Sequence, residues 1–155
     1  MKYREWSAAY GFAAKSGFEL TKLQIVDVEN MLLWDNCKNF SEVGCGKTAM
    51  STVVALMRSN KQKLVIVPPI LITPWASWLV KVSDGVLTYR GTPKQRAVMD
   101  IKNAHWIICS HAIFRDDFDK LEKNLSTSLE VIVDEAHFLK NHSSQLFRKV
   151  ARLVS

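Results

Sequence analysis

Two stretches of the chain combine the residue types that chemistry on phosphates requires. The first is Ser41-Glu42-Val43-Gly44-Cys45-Gly46-Lys47-Thr48. A triphosphate concentrates negative charge, and a ring of backbone N–H groups at a helix N-terminus holds it well. Gly44 and Gly46, on either side of Cys45, let the backbone curl close to such a ligand. Lys47 would reach the β- and γ-phosphates, and Thr48 would offer its hydroxyl to Mg²⁺. The pattern GxxxxGK[ST] asks for glycine where Ser41 stands, a mild departure because serine is small. Read alone, the string is also a glycine-rich turn before an ordinary helix.

The second stretch is Val131-Ile132-Val133-Asp134-Glu135-Ala136-His137. A buried apolar strand here would deliver two adjacent carboxylates at its carboxyl end. Asp134 would hold Mg²⁺, partly through water, and Glu135 would polarise an attacking water as general base. His137 would sense the γ-phosphate or relay its state to neighbouring elements. Singly, an Asp-Glu pair is an ordinary acidic turn; a β-branched run before it and GxGKT upstream make it the complement of the first stretch.

These residues need elements to position them. Thr21 is a candidate N-cap for a helix reaching Trp34, with Leu23, Val26, Met31 and Trp34 near helical spacing. Strands are expected at 37–41, 64–67, 86–89, 106–109 and 131–133, and helices at 47–58, 74–82, 93–102, 115–123 and from about 144 onward. Such alternation predicts an α/β fold of three layers, a mainly parallel sheet with helices on both faces. Ligands of these sheets bind beyond the carboxyl ends of the strands, which is where both stretches fall. Residues 1–19 read as an N-terminal arm and 20–155 as the phosphate-binding domain.

Composition sets the outer bounds. The 155 residues are 48% apolar and 23% charged, enough for one core and too few charges for a disordered tail. Apolar runs such as 64–69 fall far short of the roughly 20 residues of a membrane span, and the start of the chain lacks a secretory signal. Three cysteines without CxxC spacing indicate neither a disulfide framework nor a zinc site, so a cytoplasmic location is expected. The net charge of +6 suits phosphate contact with a nucleic acid and equally a solvated basic surface.

The string Asp134-Glu135-Ala136-His137-Phe138-Leu139-Lys140-Asn141 resembles motif II of superfamily 2 helicases, and its Leu-Lys-Asn resembles the Swi/Snf-type branch. Other matches follow in the family's order. Leu20 to Gln24 is similar to the segment whose glutamine reads adenine. Pro68-Pro69-Ile70-Leu71-Ile72-Thr73-Pro74-Trp75 resembles motif Ia with its trailing tryptophan. Tyr89-Arg90-Gly91-Thr92, with Arg96, resembles a Tyr-x-Gly-Ser strand end, and Ile107-Ile108-Cys109-Ser110-His111 a strand ending in Thr-Tyr.

The resemblance implies the first RecA-like lobe of a DNA-dependent ATPase that uses ATP and Mg²⁺ and moves on duplex DNA. Gln24 would then read the adenine edge, and Ser110 and the turn at Pro69 would face DNA phosphates. Ser41-Glu42-Val43 departs from the acidic Asp-Glu-Met usual in the family, and Phe138 stands where a basic residue is frequent. The family's motif III and second lobe have no counterpart among these residues. That lobe supplies arginines worth roughly 10³–10⁵ in rate, so the isolated chain is expected to be inactive or very slow. The alternative of another class is a non-catalytic protein that binds DNA or a helicase partner and keeps a vestigial ATP site.

The remaining residues have simpler readings. Trp75, Trp78 and Trp106 are expected in the core rather than stacked on bases, with Met50 and Met57 as core filler. His105, His111 and His142 lack metal-ligand spacing, and Arg148, Lys149 and Arg152 form a solvated face or border a cleft with a second lobe. Cys45, near Lys47 at a helix start, should alkylate faster than Cys109 and be protected by Mg-ATP.

Overall fold

Runs rich in Val and Ile, each closed by a turn, form one four-stranded sheet: β1 (Gln62–Val67), β2 (Val86–Thr88), β3 (Trp106–Ser110) and β4 (Leu129–Val133). The structure, a computed structural model, describes residues 17, 20–33, 47–57, 61–134 and 145–154. The chain divides into two compact units, residues 1–59 and 60–155, and the sheet belongs to the second. Its order is β2-β3-β1-β4, with every pairing parallel. The central strands β1 and β3 are buried nearly throughout, whereas β2 and β4 are half-buried. Continuous apolar runs in the centre are what a parallel sheet covered on both faces requires.

The helices of this unit are α3 (Ile72–Leu79), reached through a 3₁₀ turn at Pro69–Leu71, α4 (Pro93–Ala97), α5 (His111–Asp116), α6 (Phe118–Asn124) and α7 (Gln145–Val154). In register, Leu64 lies beside Ile107 and Val131, and Ile66 beside Cys109 and Val133. Paired residues share a face, so these rows make one apolar surface. Phe114, Phe118 and Leu121 of α5 and α6 pack on it, joined by Val150 and Leu153 of α7. The rings of Phe114 and Phe118 meet edge to face, 5.6 Å apart. Helix α3 packs beside β2 and β3 and buries Ile72, Trp75 and Leu79, a helical stripe separate from that cluster. It therefore covers the opposite face.

In the first unit, α1 (Lys22–Leu32) and α2 (Lys47–Met57) pack against each other. Thr21 caps α1 as expected: its Oγ1 accepts from the Gln24 N–H (3.3 Å), and Gln24 Oε1 accepts from the Thr21 N–H (2.9 Å). Val28 is the buried residue of α1, while Leu23 and Val26 are exposed. Apolar residues lie all round this helix, so spacing alone does not select its inner face.

Three expectations need correction. The helix expected over 93–102 ends at Ala97; Asn103 then donates from its backbone and side chain to Asp100, closing a separate turn. The helix expected over 115–123 is divided between α5 and α6 at Asp117 (φ −102°, ψ 18°), whose side chain is engaged elsewhere. The helix expected over 74–82 begins at Ile72 and ends at Leu79. The strand expected at 37–41 and residues 1–16 of the arm lie outside the described residues. Among the described residues no helix is long and apolar enough to cross a membrane.

Candidate functional site

Because all four strands run the same way, their carboxyl ends share one edge of the sheet. Asp134 stands there, immediately after β4. Its N–H donates to the carbonyl of Ile66 in β1 (2.9 Å), which extends the ladder by one residue and fixes the backbone. Its Oδ2 accepts from Nε1 of Trp75 on α3 at 3.0 Å. The same buried stripe that docks α3 therefore supplies a donor to the acid at the strand end.

A second cluster gathers beyond β2. Arg96 donates through Nε to Asp117 Oδ2 (2.7 Å) and through Nη2 to Oδ1 (3.2 Å), a two-point fork. Its Nη1 donates to the carbonyl of Gly91, and the Tyr89 hydroxyl donates to Asp117 Oδ2 at 2.7 Å. Lys120 lies over the Tyr89 ring, 5.6 Å from its centroid, and donates to the Arg96 carbonyl. The Arg96 guanidinium holds the Asp117 carboxyl below the usual range despite partial burial. Burial, reinforced by Asp117, pushes the Tyr89 phenol up. Gly91 has φ +105°, a conformation that residues with a side chain rarely adopt, so a substitution at this turn is strained. Next to it, exposed Arg90 donates to Thr73 Oγ1 at the start of α3 (3.2 Å).

Lys47 and Thr48 open α2, whose first turn carries no acidic residue to compete with an anion. Gly44, Cys45, Gly46, Glu135 and His137 lie outside the described residues. Gln24 closes the cap of α1 with its side-chain oxygen. Pro69 is exposed in the 3₁₀ turn, beside Ile70 at 83% exposure. Ser110, expected to face DNA phosphates, is instead buried, and its Oγ accepts from the Ile113 N–H (3.1 Å) as the cap of α5. Trp75 and Trp106 are buried as expected, and Trp106 Nε1 donates to Ser83 Oγ at 3.0 Å. Cys109 is fully buried and burial pushes its thiol up, which makes it a poor nucleophile. Lys149 and Arg152 lie over the Phe118 ring, 5.3 Å and 5.7 Å from its centroid, so these two cations help dock α7.

Sequence reasoning missed two participants. It placed Trp75 in the core without seeing that its N–H needs a partner there, and it read Asp117 as part of a continuous helix. The signal for the first was available: a buried indole keeps one donor to satisfy.

The all-parallel α/β layer, with Asp134 at its carboxyl edge, has the RecA-like architecture of a solved ATPase core. The fold matches the SWI2/SNF2 ATPase core of Sulfolobus solfataricus, solved in complex with dsDNA, with a TM-score of 0.68 at 19% identity, over 88% of this chain and 30% of that one. Residues 24–155 match the SNF2-related domain, and the chain belongs to that family. It is also 28% identical over 152 residues to the mouse chromodomain-helicase-DNA-binding protein 1-like, covering 88% of this chain and 17% of that protein. The chain thus spans under a third of the length of either.

Proposed function

We propose that the chain is the ATP-binding lobe of a Swi/Snf-type, DNA-dependent ATPase. The observation that carries this reading is Asp134, held at the carboxyl end of β4 by the ladder and by Trp75, in a chain of the SNF2-related family. In this reading Gly44, Cys45, Gly46 and Lys47 bind the phosphates of ATP, and Thr48 and Asp134 hold Mg²⁺. The residues present suit that pair of ligands: α2 opens with Lys47-Thr48 and no acid in its first turn, and the Asp134 carboxylate is oriented by a buried donor. Bound there, Mg²⁺ would neutralise charge on the β- and γ-phosphates. Glu135 takes the proton of the attacking water, His137 relays the state of the γ-phosphate, and Gln24 reads adenine through its side-chain amide.

Hydrolysis at a useful rate requires arginines from a second lobe. Duplex DNA would lie along the exposed turn at Pro69, next to Thr73 and Arg90. The SWI2/SNF2 core of matching fold is one solved with dsDNA, which supports that choice. Equilibrium binding of a fluorescent ATP analogue tests the reading. Lys47→Ala should remove a charged hydrogen bond worth about 1.5–3 kcal/mol, roughly a ten- to hundredfold loss of affinity. Affinity unchanged by that substitution contradicts the proposal and leaves the non-catalytic, partner-binding alternative.

A further inference from the structure

From the contact between α3 and the end of β4 we infer that Trp75 is a positioning residue for Asp134: its indole N–H sets the orientation in which the carboxylate meets a divalent cation. The inference rests on the assignment of Asp134 to Mg²⁺ made above. Trp75 is 3% exposed, and Ile72 and Leu79 on the same stripe are buried with it, so its ring has little freedom. A buried indole requires one acceptor, and a neighbouring carbonyl would serve for packing alone. Here the acceptor is a carboxylate oxygen at 3.0 Å, 59 residues further along the chain, on the residue that ends β4.

Two constraints meet on Asp134. The backbone is held by the Ile66 carbonyl (2.9 Å) and one carboxylate oxygen by Trp75. Holding Oδ2 restricts rotation about the Cβ–Cγ bond, and so sets the direction of Oδ1 as well. Groups that orient a metal-binding side chain are typically worth about 10–100-fold in metal affinity. The donor also lies two residues beyond Thr73, which accepts from Arg90. One short segment therefore runs from the exposed edge to the acid.

The test uses the full chain and two readouts. In a ¹H–¹⁵N spectrum the indole signal that disappears in Trp75→Phe identifies Trp75 among the five tryptophans. That signal should shift in Asp134→Ala, a variant that leaves Trp75 intact; an unmoved signal overturns the inference. Affinity for a fluorescent ATP analogue is then measured with Mg²⁺ and with EDTA. Trp75→Phe should reduce the Mg²⁺-dependent gain by about tenfold or more and leave the affinity in EDTA unchanged. Equal gains in wild type and Trp75→Phe, or parallel losses with and without Mg²⁺, overturn the inference alone. A wild-type chain that binds no nucleotide in either condition overturns the proposed function, and this inference with it.

Discussion

At the amino edge of the sheet, Gln62 donates through Nε2 to the carbonyls of Ile101 (2.9 Å) and Ala104 (2.8 Å) and accepts from the Ser126 N–H (2.7 Å), tying separate turns together. At the carboxyl edge, Trp75 donates to the side chain of Asp134 and Arg90 reaches only as far as Thr73. The amino edge is also where Lys63 is buried, 5.7 Å from the centroid of the Trp106 ring. Desolvation holds its ammonium below the ordinary lysine range, with Glu130 pulling the other way. Gly85, at φ +68°, lets the backbone approach His105, whose N–H donates to the Gly85 carbonyl at 2.9 Å. Gln62 and His105 bond at this end to the backbone that surrounds them. At the other end buried Trp75 orients the side chain of Asp134, which stands where β4 brings it to the carboxyl edge. Contacts at the amino edge thus serve the fold itself, whereas the carboxyl edge holds both the Arg96–Asp117–Tyr89 cluster and Asp134, the acid assigned above to Mg²⁺.

The contrast predicts separable effects. Trp106→Ala should cost about 3–5 kcal/mol in denaturant unfolding, because a fully buried ring is lost together with its contacts to Lys63 and Ser83. Nucleotide affinity of the folded fraction should not change; a parallel loss of binding would break the division between the edges. Asp117→Asn should cost about 1.5–3 kcal/mol by weakening the Arg96 fork. The Asp117 carboxyl is depressed in the folded state, so its stabilisation is complete above about pH 4 and vanishes as the pH falls through the folded value. Wild type should therefore show an acid loss of stability that the Asn variant lacks, visible as a flatter pH profile of unfolding. Arg90→Ala, at the exposed edge, should alter stability by no more than about 0.5 kcal/mol. It should weaken duplex DNA binding and lower the salt slope by about one, and no change in either would remove DNA from this edge.

Much of the sheet could be read from residue order. The Val/Ile runs around Leu64 and Ile107 announced the two central strands, and Thr21 as a candidate N-cap announced the start of α1. Asp134 could be placed at a strand end because an apolar run precedes it. What escaped were partners distant in sequence. Asp117 interrupts a helix because its carboxylate is claimed by Arg96 and Tyr89, 21 and 28 residues earlier. Trp75 fits a helical stripe at i, i+3 and i+7 with Ile72 and Leu79, a spacing that foretells burial but says nothing of what its N–H will meet. Periodicity reports which side of an element is dry; it does not report which polar atoms the fold brings to that side.

The proposed function requires Lys47 and Asp134 to act on one magnesium-bound triphosphate. A double-mutant cycle of nucleotide affinity in Mg²⁺, across wild type, Lys47→Ala, Asp134→Ala and the double variant, measures this directly. If both side chains serve the same ligand, the two losses fail to add, with a coupling of at least about 0.5 kcal/mol. Losses that sum within error, or an Asp134→Ala variant that binds as wild type does, would contradict it.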